Sequence, residues 1–396
     1  MLRKHPWAIL SIAVGIFSLF LCTYGPFLQP MLPRLAQLKN TFVPLRSPVR
    51  TMATTNGLPE SWHSGPDDSF HGKITPDGPF KPEKNRYHLY IGLFCPFAHR
   101  ANLVLHLKQL DKYAGIETSI VKPYPKGDEK GWPGWRFNHK EETEYEGATE
   151  DKLFGSRFLH KVYFKADKEY KGRYSVPVLW DKKLNTIVNN ESHELLRDLQ
   201  HAFDELLPPE LQKITLYPED LRKEIDALGE QLQRDLNTGV YKAGFAPNQE
   251  VYEKNLPTPF AMMNKLEKIA SKNGGPYILG KHMTEVDVRT YATLIRFDTV
   301  YVQHFKCNLG MLRYSYPVLN NWLKNMYWNH EAYKNTTDFR HIKENYTKSH
   351  HDINPKAITP VGPWPDIEKG YEEDWSKLRV GSVDMPEVLE HEKTLG

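Results

Sequence analysis

The chain is poor in cysteine. Cys22, Cys95 and Cys307 are its only three in 396 residues, and no two are close in sequence. That scarcity excludes a disulfide-stapled scaffold and a cysteine-rich zinc site, so no metal is expected, and it favours a reducing compartment. Charge of one sign is scarce as well. The formal net charge is only +3, yet residues 1–59 carry Arg3, Lys4, Arg34, Lys39, Arg46 and Arg50 with no Asp or Glu. Setting those six aside from the 52 basic residues leaves 46 against 49 acidic ones, so the body is nearly neutral. Such a body offers no basic stripe for nucleic acid and no general membrane-binding face.

What is present is a chain 40% apolar and 12% aromatic, long enough for two domains with separate cores. One uncharged apolar run, Trp7 to Tyr24, has helix-spanning length with basic residues before it and reads as a membrane anchor; the larger basic cluster after it then puts the body in the cytosol. The acid-free stretch continuing to Pro59 reads instead as a mitochondrial targeting sequence, and translation from Met52 would bypass both. Residues 60–86, with Gly, Pro, Ser and Asp, form a linker or arm.

Tyr87 to Leu93 is a short strand pattern, and Pro96 stands where a first helical turn accepts proline, with Ala101, Val104 and Leu105 on one apolar face. Cys95 is therefore at a helix N-terminus, where free N–H groups and the helix dipole favour a thiolate; His99 and Arg100 add positive potential. The bland alternative is a small buried hydrophobe beside a surface histidine. Ile116 to Val121 is a second strand. Val176-Pro177 heads a third, Thr186 to Asn189 pairs with it across a turn, and Glu191-Ser192 opens a helix. Glu191 and Ser192 suit an amine and a carboxylate, or they merely cap.

Cys-Pro-Phe-Ala at 95–98, a late Val-Pro and then Glu-Ser resemble the glutathione-binding, thioredoxin-like domain of the cysteine-based glutathione transferases. The stretches CPFAHR, SVPVLWDKKLNTIVNNES, GVYKAGFA, RFDTVYVQHFKCN and INPKAITPVGP resemble the xi, or omega-like, branch of glutathionyl-hydroquinone reductases. Phe97 stands where that family usually has tryptophan. The resemblance implies an α/β thioredoxin-like N-terminal domain over 87–206, with an insertion at about 122–173, and an all-α C-terminal domain over 217–345. It also implies a homodimer and glutathione as co-substrate. By the same resemblance Pro177 is cis, the Val176 main chain pairs with the glutathione cysteine, and Glu191 and Ser192 hold the γ-glutamyl end. Trp135 (or Trp132) lies against glutathione, and Arg173 faces its carboxylate. Tyr241 and Tyr346 line the pocket for aromatic glutathionyl conjugates.

The rest reads as structure. The Lys140–Glu146 charge run is a solvated face, Asn237 to Gly244 a glycine-bearing loop, and Thr284 with Asp287 a capping box opening a helix to Val302. Tyr301 and Cys307 are packing residues, and His350-His351 a surface pair. The sequons at Asn190, Asn335 and Asn345 are chance matches, two of them beside expected site residues. Residues 346–396 are a C-terminal extension: Ile353 to Asp366 folds back over the body, and the remainder reads as disordered.

With Ala98 where a dithiol enzyme has a second cysteine, Cys95 needs an external thiol to resolve a mixed disulfide. The expected reaction is removal of glutathione from glutathionyl-hydroquinones, with a tyrosine protonating the ring. Its rivals are a general thioltransferase or dehydroascorbate reductase using the same Cys95, and a non-catalytic or membrane-associated protein of the same fold.

Overall fold

The computed structural model describes residues 70–125 and 134–384. The segment 1–59, including Trp7 to Tyr24, and Trp132 lie outside the described residues. Among the described residues no helix is long and apolar enough to cross a membrane.

Strand β1 (Tyr87–Ile91) is buried along its whole length, His88 included, because the His88 ring finds Ser119 Oγ at 2.8 Å. It runs parallel to β2 (Glu117–Ile120) and antiparallel to β3 (Val178–Asp181), which pairs with β4 (Thr186–Asn189) in the order β2-β1-β3-β4. A buried ion pair sets the start of β1: Arg86 Nε is 3.0 Å from both Asp181 oxygens. The same carboxylate turns the β3–β4 hairpin by accepting from the Lys183 and Leu184 N–H groups at 2.8 and 3.2 Å. Helix α1 (Pro96–Leu107) links β1 to β2, and α2 (Leu159–Ala166) lies in the insertion. Helix α3 (Ser192–Leu199) follows β4 and packs on α1. This is the thioredoxin-like arrangement expected.

The helical part contains α4 (Arg222–Gln231), α5 (Gly239–Gly244), α6 (Pro257–Asn273), α7 (Glu285–Leu294), α8 (Pro317–Asn329) and α9 (Phe339–Ser349). Thr284 and Asp287 form the expected capping box on α7, with the Thr284 N–H on Asp287 Oδ2 at 2.8 Å. The helix stops at Leu294 rather than Val302 and resumes as a π-helical turn over Phe297–Tyr301.

Three sequence expectations fail here for tertiary reasons. Asn237 to Gly244 is helical: α4 runs through a π-helical turn (Leu232–Asn237) into α5, with Thr238 Oγ1 donating to Gln233 O at 2.6 Å. Gly239 serves packing there, since a Cβ would meet Pro259 at 3.1 Å. The 140–146 run is not simply solvated. The Glu142 carboxylate is gripped by Lys122, Arg136 and Arg157; burial works against the charged form, but the Arg157 and Lys122 hydrogen bonds win and hold it down at about 2. The described tail past Asp366, residues 367–384, is bound to the body. Asn321 accepts from the Glu372 N–H (2.7 Å) and donates to Glu372 O (2.9 Å), Asn264 does the same with Val383 (2.9 and 2.8 Å), and Trp375 is buried. Side-chain amides of the body supply the partners that the tail's own composition lacks.

Candidate active site

Cys95 caps α1. Its Sγ accepts from the Ala98 N–H at 3.5 Å, and the thiol donates to Val176 O at 3.6 Å, across the cis Val176-Pro177 bond. Sequence and structure part over charge. Burial pushes the thiol above its ordinary value; the Ala98 and Phe97 N–H groups and the Arg296 and Arg100 guanidiniums pull the other way without prevailing. Burial therefore favours the protonated thiol over the thiolate at Cys95. His99 does not add positive potential, because burial and Arg296 keep its ring neutral. Arg100 is buried and brought down to about 9 by that burial, and it donates to Ser192 Oγ, Gln233 Oε1 and Asn237 Oδ1 at 3.3, 2.8 and 2.9 Å.

A cavity of ≈ 370 Å³, in the small-molecule range, opens over the thiol. Its walls bring together Cys95, Trp135, Arg173, Val176 and Glu191 from the sheet-bearing part with Tyr241 and Tyr346 from the helical part. Trp135 packs on Phe94 with centroids 4.6 Å apart. Arg173 is exposed at the wall, and Pro177 is buried. Glu191 caps α3 by accepting from the His193 N–H at 3.2 Å; burial raises its carboxyl. Ser192 does not line the cavity: it is buried behind Glu191, its hydroxyl between Arg100 Nη1 (3.3 Å) and Glu191 Oε1 (3.4 Å).

The helical wall holds a line of three phenols. Tyr241 and Tyr346 hydroxyls are 2.5 Å apart, and Tyr346 meets Tyr301 at 2.9 Å. Burial first, then Tyr301 and Tyr346, pushes Tyr241 well above the ordinary phenol value. Burial first, then Tyr301, does the same to Tyr346 against the pull of Arg296 and the Tyr241 hydrogen bond, and burial raises Tyr301 too. All three are proton-bearing at neutral pH. Tyr301, read from sequence as packing, is therefore a member of the network although it does not face the cavity. His350 is no surface residue either. It lines the cavity, with its Nδ1 3.1 Å from His304 Nε2, while His351 is exposed. Its position four residues after Tyr346, one helical turn on, was the available signal. Arg296, which holds the Leu93 and Phe94 carbonyls beside Cys95, gave none. Cys307 is fully buried, and burial pushes it up to about 12, as its reading as a core residue requires.

Among the described residues no group of three or more His, Cys, Asp or Glu could hold a metal ion.

Two family models match: the glutathione S-transferase N-terminal domain over residues 94–202 and the C-terminal domain over 249–325. The chain is 46% identical over 302 residues to the glutathione S-transferase omega-like 2 of Schizosaccharomyces pombe, covering 76% of this chain and 93% of that protein. It is 40% identical over 300 residues to a glutathionyl-hydroquinone reductase of Escherichia coli, covering 76% and 86%. The fold superposes on the xi glutathione transferase of Saccharomyces cerevisiae solved in complex with glutathione, with a TM-score of 0.70, 39% identity, and 76% and 99% coverage.

Proposed function

The chain belongs to the glutathione transferase family, in its xi, omega-like branch, and from that premise we propose that it reduces S-glutathionyl-hydroquinones at Cys95. The observation that carries the reading is the meeting in one cavity of a free thiol that has no neighbouring cysteine with two neutral tyrosine hydroxyls.

The conjugate enters with its glutathionyl arm toward the sheet. The Val176 main chain pairs with the arm's cysteine, Glu191 takes the γ-glutamyl ammonium, Arg173 faces a carboxylate, and Trp135 covers the arm. Ser192 acts from behind, orienting Glu191 and Arg100. Engaging the Val176 carbonyl takes away the acceptor of the resting thiol, whose proton leaves to solvent water, while the Ala98 N–H continues to point at the sulfur and favours the thiolate. That thiolate attacks the substrate sulfur. The Cys95–S–S–glutathione bond forms, the sulfur–aryl bond breaks, and its electron pair passes to the ring carbon. An aryl carbanion is a poor leaving group, so the carbon must receive a proton as the bond breaks. Tyr346, central in the phenol line, is the donor, and Tyr241 and Tyr301 share the resulting phenolate charge by hydrogen bonding. A second glutathione thiolate then attacks the glutathionyl sulfur of the mixed disulfide. Oxidised glutathione leaves, Cys95 returns as thiolate, and the second thiol's proton restores the tyrosine. Two glutathione sulfurs are oxidised and the aryl carbon is reduced.

The test is single turnover of a glutathionyl-hydroquinone without added glutathione. Stoichiometric hydroquinone and a glutathionylated Cys95 peptide are expected by mass spectrometry. Full reductase activity in Cys95→Ser would overturn the reading. Faster turnover of small glutathione disulfides or dehydroascorbate than of the hydroquinone would move it to the thioltransferase reading.

A further inference from the structure

Of the four buried arginines among the described residues, Arg86 faces Asp181 and Arg289 faces Glu285. Arg100, held by Ser192, Gln233 and Asn237, and Arg296 do not face a carboxylate within ion-pair distance among the described residues. Arg296 is fully buried. Each of its polar partners is neutral. Nε donates to Phe94 O at 2.9 Å, Nη2 to Leu93 O at 3.1 Å, and Nη1 to Ala292 O at 2.6 Å and His99 Nδ1 at 3.1 Å. A ring that accepts at Nδ1 carries its proton on Nε2, and His99 gives that proton to Thr336 Oγ1 at 2.9 Å, whose hydroxyl donates on to Ala332 O at 2.7 Å. Each guanidinium nitrogen is thus hydrogen-bonded, and the charge has no anion beside it among the described residues. A buried cation without an anion is expensive to keep, and its retention calls for an anion that comes and goes.

The geometry points to which anion. The Arg296 fork grips the carbonyls of the two residues before Cys95, 202 and 203 residues away in sequence. The groups its charge eases toward their anionic forms are Cys95, Tyr301 and Tyr346 at the reactive centre and Tyr291 outside the cavity. We propose that Arg296 is the counter-ion of the reactive centre, a positioning residue that holds the Leu93–Phe94 turn and balances the one negative charge that forms on Cys95 and passes to the tyrosines. This rests on the Cys95 chemistry proposed above. In that cycle the site holds a single negative charge at each stage, first thiolate, then phenolate, then thiolate again. One fixed guanidinium matches it throughout. The other titratable and charged groups around Cys95 are Arg100 on its own helix, Tyr170, Arg173, Tyr174 and Glu191 on the cavity wall, Tyr241, Tyr346 and His350 on the helical wall, and Tyr301 behind them.

The test separates charge from hydrogen bonding in the full chain without using turnover. Alkylation of Cys95 is followed peptide by peptide, across pH, with neutral iodoacetamide and anionic iodoacetate. Arg296→Gln keeps a donor for the carbonyls and removes the charge; Arg296→Lys keeps the charge and loses the fork. The Gln variant is expected to react with iodoacetamide roughly tenfold more slowly at neutral pH, the equivalent of about one pKa unit, and to lose the wild type's preference for iodoacetate. The Lys variant should recover to within about threefold of wild type. Equal profiles for Gln and wild type, or equal losses in Gln and Lys, would overturn the proposal. Should neither variant fold, the Arg173→Met protein decides, because it removes the exposed wall cation and leaves Arg296. A preference for iodoacetate no greater than that of free glutathione would then sink the idea. Failure of hydroquinone reduction with intact alkylation results would instead indict the proposed reaction.

Discussion

The two ends of the cavity are built by different means. At the sulfur end, the thiol and two of the groups the proposed mechanism uses for the glutathionyl arm lie at or beside the end of an element: Cys95 at the start of α1, Val176 before β3, Glu191 at the start of α3; Trp135 and Arg173 come from the loops between. Chain ends leave main-chain N–H and C=O groups without partners, and those groups are what a peptide-like ligand can pair with. The ring end is made of side chains from helices and a π-helical turn, Tyr241, Tyr301 and Tyr346, which touch one another through hydroxyls. The first end is suited to binding, the second to proton transfer, and substitutions at the two should therefore fail in different ways.

Tyr346→Phe gives the largest separation. It should lower the rate of hydroquinone release by roughly 10²- to 10⁴-fold, the scale of lost general-acid help, and leave exchange with a simple glutathione disulfide within about twofold. Equal loss in both assays would erase the distinction between the ends. Glu191→Gln should do the reverse, raising KM for glutathione and conjugate about tenfold, or about 1.4 kcal/mol, with kcat nearly unchanged. A kcat-only effect would remove Glu191 from the binding end.

The same contrast explains what the sequence made legible. Strand β4 was read residue for residue, because the Asp181–Asn185 turn and the Glu191 cap are signals confined to a few neighbours. The α7 capping box was legible for the same reason. The ring end was not. Among 21 tyrosines, Tyr241 and Tyr346 were singled out by family motif alone, since no periodicity relates hydroxyls 105 residues apart. Tyr301 looked like packing because its ring does pack, stacked on Phe305 at 5.4 Å, while its hydroxyl does something else. The thiol's charge state escaped for a related reason: helix position is a local fact, and burial, which outweighs it, is a tertiary one.

Tyr301→Phe sharpens the comparison at smaller scale. It removes one hydrogen bond to Tyr346 and leaves the cavity wall intact. A hydrogen bond worth about 1 kcal/mol corresponds to roughly fivefold in rate, so hydroquinone release should slow by about that factor without change in KM. An effect as large as that of Tyr346→Phe would make Tyr301 the donor.

The last effect is one of stability rather than rate; it concerns acid and falls on the ring end through a pair of bases. Burial brings His304 down to about 4 and His350 to about 3, against an ordinary value of 6.5. Between pH 6.5 and 4 the unfolded chain therefore binds protons at these positions that the folded protein refuses. Where the unfolded state binds more protons, stability falls as pH falls, so the pair contributes no penalty above pH 6.5 and a growing one below it. The contribution of His304 levels off near its folded value of about 4, that of His350 nearer 3. His304→Gln keeps a donor for His350 Nδ1 and cannot titrate. Its urea midpoint should decline less than that of wild type between pH 6.5 and 4, by a slope of less than one proton, and match it in shape above pH 7. Parallel curves across the acid range would mean that the His304 ring takes up its proton in place, and the ring end would then tolerate a charge that its burial argues against.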